Sequence, residues 1–338
     1  NLKEAGLEYV TLGGVVPNPH LSKVREGIEL CKKENVDFIL AVGGGSVIDS
    51  GKAIGYGVAN EGDVWDFYAK KRTAKACLPI GAVLTIAAAG SEMSNSSVIT
   101  NEDGWLKRGY NDDVCRCKFA VMNPELTYTL PAYQTASGCV DILMHTMERY
   151  FTKAENTMLT DSVAEGLMRT VIYNAKVLAE DPENYDARAQ VMWAGSLSHN
   201  GLTGCGTEGD WASHQREHDL GGMFDVAHGA GLAAVWGSWA RYVYKEKPAR
   251  FAQFAANVFN IPWNSSNLEQ MALDGIQAME AFYRSIHMPT SLAELGVNPT
   301  EEQIQELAKK CSFMGKRTVG TFKVLQIPDM EAIYKMAR

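Results

Sequence analysis

An apolar run, Phe38-Ile39-Leu40-Ala41-Val42, ends in Gly43-Gly44-Gly45-Ser46 and passes straight into the helix-like spacing of residues 47–53. Few folds accommodate that succession. It puts free backbone N–H groups and the positive end of a helix dipole at the tip of a buried strand, where the missing Cβ atoms let an anion such as a diphosphate come close. The loop is neither the Gly-x-Gly-x-x-Gly dinucleotide fingerprint nor a P-loop ending in Gly-Lys-Ser/Thr. A plainer reading is also open, in which Ser46 and Asp49 form a Ser-x-x-Asp capping pair and the glycines only turn the chain. A second loop of small residues, Thr85-Ile86-Ala87-Ala88-Ala89-Gly90-Ser91-Glu92, follows the next apolar strand. Two such loops at the carboxyl ends of strands favour a ligand crevice at the switch point of an open α/β sheet.

The surrounding pattern has βαβ rhythm. It predicts strands over 9–16, 36–42, 78–86, 97–100 and 118–122, and a helix from a Ser22 cap to about Asn35. The fully apolar stretch at 36–42 is expected to be covered on both faces, as in parallel sheets. From Pro131 onward the character changes to long segments of helical period at 131–151, 158–179, 187–200 and 248–260. The expected architecture is an open-sheet α/β domain over 1–130 and an all-helical domain over 131–338. A chain of 338 residues has room for two domains at about 150 residues each.

The 32 Lys and Arg against 40 Asp and Glu leave a net charge of −8, so no broad positive field exists to gather a nucleic acid or an anionic membrane. No apolar run reaches the ~18 residues that a membrane-spanning helix requires. Seven cysteines without framework spacing fit a reducing cytoplasm, and the first residues carry no secretory pattern. The opening Leu2-Lys3-Glu4-Ala5-Gly6 reads as the tail of a helix with a glycine stop, so the chain is expected to be truncated.

Asp141 and His145 are four apart and share a helix face, as do His214 and His218, and His228 follows in Ala227-His228-Gly229-Ala230-Gly231. A carboxylate with several imidazoles suits a borderline divalent ion, Fe²⁺ or Zn²⁺, and the lack of thiolates argues against a closed structural site. His20, His199 and His287 lie outside these groups and read as hydrogen-bonded structural residues. His214-Gln215-Arg216-Glu217-His218 also fits the His-x-x-Glu-His pattern of a zinc metallohydrolase. Trp65, Phe67, Tyr150, Phe151 and Trp211 are candidate pocket liners.

Taken in order, Gly43-Gly44-Gly45-Ser46-x-x-Asp49-x-x-Lys52, residues 85–92, residues 123–131, Asp141-x-x-x-His145, His214, His218 and residues 228–233 resemble the iron-containing, or group III, alcohol dehydrogenases. The likeness is to their butanol-dehydrogenase-like branch and spans nearly the whole chain. It implies that the α/β domain over 1–130 binds a dinucleotide and faces the helical domain over 131–338 across a cleft, and that hydride passes between NAD or NADP and a primary alcohol or its aldehyde. A glycerol-dehydrogenase-like enzyme would be the alternative within the same dehydroquinate-synthase-like architecture. It implies Asp141, His145, His214 and His228 as metal ligands, His218 as the catalytic histidine beside nicotinamide and substrate, and Gly44, Gly45 and Ser46 on the pyrophosphate. Asp49 would lie near the nicotinamide, Thr85 would touch the cofactor, and Lys118 would reach its ribose. The family's usual Thr-Gly-Ser-Glu in the second loop is Ala89-Gly90-Ser91-Glu92 here, so one hydroxyl contact is missing. The segment that separates NAD from NADP would precede Asn1. A cytoplasmic homodimer is the expected assembly.

Overall fold

The computed structural model describes residues 2–338. Helix α1 (Leu21–Lys33) leads to strand β1 (Ile39–Gly43), helix α2 (Gly45–Ala59), the short α3 (Trp65–Tyr68) and strand β2 (Ile80–Leu84). A hairpin of β3 (Ser96–Asn101) and β4 (Leu106–Asn111) follows, and then β5 (Phe119–Val121). Strands β1, β2 and β5 form a parallel sheet in that order, with Ile39 opposite Ile80 and Gly81 opposite Phe119. Parallel neighbours need a crossover, and α2 supplies the one between β1 and β2.

Three expectations change. Residues 9–16 pair with no strand among the described residues, and Tyr9, Val10 and Val16 are exposed. Strand β1 is covered on one face only: Ala41 is buried while Leu40 and Val42 are 37% and 57% exposed. The segment around 97–100 belongs to a separate antiparallel hairpin with β4, not to the parallel sheet.

From Ala132 the chain is helical: α4 (Ala132–Tyr150), α5 (Met158–Glu180), α6 (Tyr185–His199), α7 (Ala212–Phe224), α8 (His228–Val243), α9 (Pro248–Phe259), α10 (Leu268–Ser285), α11 (Glu301–Cys311) and α12 (Ile327–Ala337). Their core is aromatic, with Phe151 stacked on Phe251 at 4.3 Å between centroids and Trp236 and Trp239 nearly inaccessible. Burying each such ring stabilises the fold by roughly 1.5–3 kcal/mol. No helix among the described residues is long and apolar enough to cross a membrane.

Helix α4 is fixed where it meets its neighbours. A Cβ on Gly138 would stand 2.3 Å from the Ala87 carbonyl oxygen, and one on Gly229 would stand 1.9 Å from that of Ser137. Backbone therefore touches backbone on both sides of α4, which sets its inward face against both the second small-residue loop and the start of α8.

Candidate active site

A cavity of about 1100 Å³ lies between the α/β part and the helices. At one side it meets the glycine loop. Gly44 is the N-cap of α2 and no side chain caps the helix, so the capping reading of Ser46 and Asp49 gives way. Gly44, Gly45 and Ser46 line the cavity with the uncapped helix start behind them, an arrangement that attracts an anion. A Cβ on Gly44 would fall 2.1 Å from Ile86 Cγ2, so no larger residue fits. Ala89 packs against this loop: a Cβ on Gly45 would lie 2.9 Å from its own.

Lys52, fully buried, ties the two loops together by donating to the carbonyls of Ser91 (2.7 Å), Ser94 (3.0 Å) and Ser96 (2.8 Å). Asp49 lines the cavity while accepting from Ser91 Oγ (2.5 Å) and the Val98 N–H (2.9 Å). Burial raises its carboxyl against the pull of Lys52. Thr85 and Lys118 are not brought to the cavity wall. Thr85 follows β2 and donates its N–H to Gly43, whereas Lys118 is exposed and pairs with Ile80 at the opposite end of that strand.

Across the cavity, three imidazoles converge on one oxygen. From Asp141 Oδ1, His145 Nδ1 is 3.3 Å away, His214 Nε2 3.5 Å and His228 Nε2 3.7 Å. Asp141 Oδ1, His145 Nδ1 and His214 Nε2 are nevertheless buried without a hydrogen-bond partner. Unpaired, buried ligand atoms that face one another suit a bound cation. Ligand atoms of Asp141, His214 and His228 lie within 4.8 Å of one another, and His145 stands beside this trio, its ring centroid 4.5 Å from that of His214. A His₃Asp donor set fits a borderline divalent ion.

Two carboxylates that ligand spacing alone did not single out hold the rings. Glu148, seven residues after Asp141 on the same face of α4, accepts the His214 N–H at 2.8 Å and lies 3.1 Å from its Nδ1. Glu217 pairs with His228 Nδ1 and, at 3.2 Å, with Lys107 Nζ. Burial pulls the His214 pKa down, but Asp141 and Glu148 outweigh it and raise it to about 9. Burial and the neighbouring His199 and His214 keep His145 neutral, well below its usual value.

His218 lines the cavity 5.8 Å from His228 between ring centroids, and burial with Lys107 and His228 depresses it strongly. It also joins Glu217 and His228 in a second, overlapping group of donors. His199 is no remote structural residue: it lines the cavity with its ring 3.9 Å from that of His145. Its sequence setting, the last turn of α6, carried no ligand spacing. Trp211 stands beside it in a left-handed conformation, φ 59°, at the start of α7. Phe67 and Trp211 line the cavity, whereas Trp65 does not and Tyr150 and Phe151 belong to the helical core.

A glycine-loop α/β part that faces a helical part across a histidine–aspartate cluster is the build of a nicotinamide-linked, metal-dependent alcohol dehydrogenase. The chain belongs to the iron-containing alcohol dehydrogenase family: the family's sequence profile matches residues 1–124, and its C-terminal profile matches residues 135–338. It is 41% identical over 334 residues to the probable NADH-dependent butanol dehydrogenase 1 of Bacillus subtilis, covering 99% of this chain and 85% of that one. It is 34% identical to the NADPH-dependent aldehyde reductase YqhD of Escherichia coli, covering 98% and 86%. The crystal structure of NADH-dependent butanol dehydrogenase A from Thermotoga maritima superposes with a TM-score of 0.95 at 38% identity, covering 99% and 85%. The protein is an NAD(P)-dependent oxidoreductase of alcohols and aldehydes. The metallohydrolase reading falls with the family assignment; Glu217 is wholly buried, its Oε2 engaged by Lys107 and His228.

Proposed function

We propose that Asp141, His145, His214 and His228 hold one divalent ion, Fe²⁺ or Zn²⁺, and that the alcohol or aldehyde oxygen of a small primary substrate is handled there. The observation that carries this is the ring of orphaned ligand atoms around Asp141 Oδ1. The bound ion supplies Lewis-acid polarisation of that oxygen. Gly44, Gly45 and Ser46 would seat the pyrophosphate of NAD or NADP on the start of α2. Asp49, anchored by Ser91 and Val98, would shape the wall against which the nicotinamide rests.

NAD or NADP seated there would supply or accept hydride at the carbonyl carbon, with one proton taken up by the oxygen in reduction or released from it in oxidation. His218, kept neutral by burial, would hold or pass that proton at a ring nitrogen. Glu148 and Glu217 orient the ligand rings. Thr85 and Lys118 remain in the proposal as cofactor contacts on the strength of the resemblance alone, as does a homodimer. A cytoplasmic setting is supported by seven free cysteines among the described residues.

The test is stripping the protein with a chelator and following reduced-nicotinamide absorbance with butanal. Activity should vanish and return in step with added Fe²⁺ or Zn²⁺ up to one ion per chain. Full turnover by the stripped protein would overturn the metal assignment.

A further inference from the structure

The cavity has a third corner that neither the cofactor loop nor the metal cluster accounts for. Phe313, just beyond α11, lines it with three cations around its ring: Arg317 Cζ lies 3.7 Å from the centroid, Arg108 Cζ 4.3 Å and Lys70 Nζ 5.5 Å. Arg108 is neutralised by the buried Asp219 at 3.0 Å. The other two form no direct ion pair among the described residues, Asp219 acting on Arg317 only at longer range. Arg317 donates only to the Cys311 carbonyl (2.9 Å) and to Gln215 Oε1. Lys70, exposed at the rim, makes no side-chain hydrogen bond or ion pair, whereas its neighbour Lys71 is matched by Asp66.

Two cations without a direct carboxylate contact, grouped round one ring, repel each other. Burial, Arg317 and Arg108 accordingly lower the Lys70 pKa. In a chain of net charge −8, such a corner favours an incoming anion. Gln215 connects it to the chemistry, since it is the next residue after His214 and bonds Arg317 from the cavity wall. The carboxylates on that wall are Asp49, which is anchored, and Asp141, which belongs to the metal cluster. Neither competes for the corner.

Building on the alcohol dehydrogenase reading of this cavity, we infer that Lys70 and Arg317 bind a terminal oxyanion of the substrate. The preferred substrate is then a short aldehyde, or its alcohol, with a carboxylate, sulfonate or phosphate at the far end. The Phe313 ring would cover the carbons in between. Arg presents paired N–H groups that suit such oxyanions, and Lys adds a point charge.

The experiment compares succinic semialdehyde with butanal, an uncharged aldehyde of equal chain length, using metal-loaded wild type, Arg317→Gln, Arg317→Lys and Lys70→Met. NADH and NADPH are assayed separately. The wild type should favour the anionic aldehyde in kcat/KM by about tenfold or more, a preference that fades with salt. In Arg317→Gln that ratio should fall towards unity through KM, with a smaller fall in Lys70→Met and retention in Arg317→Lys. No preference in the wild type, or an equal loss for both aldehydes, overturns the inference. So does a loss confined to the KM for NADPH, which would assign the corner to the cofactor's 2′-phosphate. Calorimetric titration with succinate needs no turnover: wild type should bind it and Arg317→Gln should bind it about tenfold more weakly. Absence of succinate binding overturns the inference, whereas succinate binding without turnover of any aldehyde counts against the dehydrogenase reading alone.

Discussion

Glu148 and Glu217 do at the residue scale what the proposed ligands cannot do for themselves. An imidazole has two nitrogens and a free ring rotation, so a metal-facing histidine needs a partner on its other side. Glu148 takes both the backbone N–H and Nδ1 of His214, and Glu217 takes Nδ1 of His228, which leaves each Nε2 turned towards Asp141. Burial pushes the Glu217 carboxyl up, but His228 and Lys107 hold it below its usual range, so it stays an acceptor. Removing such a partner commonly weakens metal binding 10–100-fold, and Glu148→Ala is expected to fall in about that range by chelator competition. An unchanged metal affinity would show that the His214 ring is held by packing instead. The pairs Asp141/His145 and His214/His218 were legible in the sequence because i, i+4 spacing on a helix needs no tertiary knowledge, whereas the proposed ligand set with His228 in place of His218 came from the family resemblance. His199 was not legible, since its closeness to His145 arises only when α6 crosses α4.

At the scale of elements, site geometry depends on how tightly α4 is seated. The two glycine contacts, Gly138 on Ala87 and Gly229 on Ser137, are backbone against backbone and have no flexible side chain to yield. Gly229→Ala should therefore destabilise the protein by about 1–3 kcal/mol or more, read as a lower thermal midpoint. Gly166→Ala, in α5 with only the Arg169 guanidinium at 3.9 Å, should be neutral or stabilising by up to about 1 kcal/mol through helix propensity. Equal effects would mean that α4 is not clamped. The long helices at 131–151, 158–179 and 248–260 were readable because their period is sustained over many residues. Strand β4 was not, since Leu106-Lys107-Arg108-Gly109-Tyr110-Asn111 looks like a polar turn. Its cations are buried against Glu217 and Asp219 of α7, a pairing invisible without the tertiary fold.

Seen as a whole molecule, the protein is two different kinds of packing brought to one cavity. The α/β part offers backbone N–H groups and a helix start; the helical part offers a carboxylate and imidazoles. Buried ion pairs, Lys107 with Glu217 and Arg108 with Asp219, join the two parts beside the site. Leaving either member of such a pair alone in the interior is costly, so these contacts fix register between the parts. The architecture followed from the change of period near Pro131. The central claim is that one ion sits among Asp141, His145, His214 and His228. Anomalous diffraction from crystals loaded with Fe²⁺ or Zn²⁺ tests it most directly: a single strong peak within bonding distance of those four side chains is predicted, and a peak held by Glu217 and His218, or none in the cavity, would contradict it.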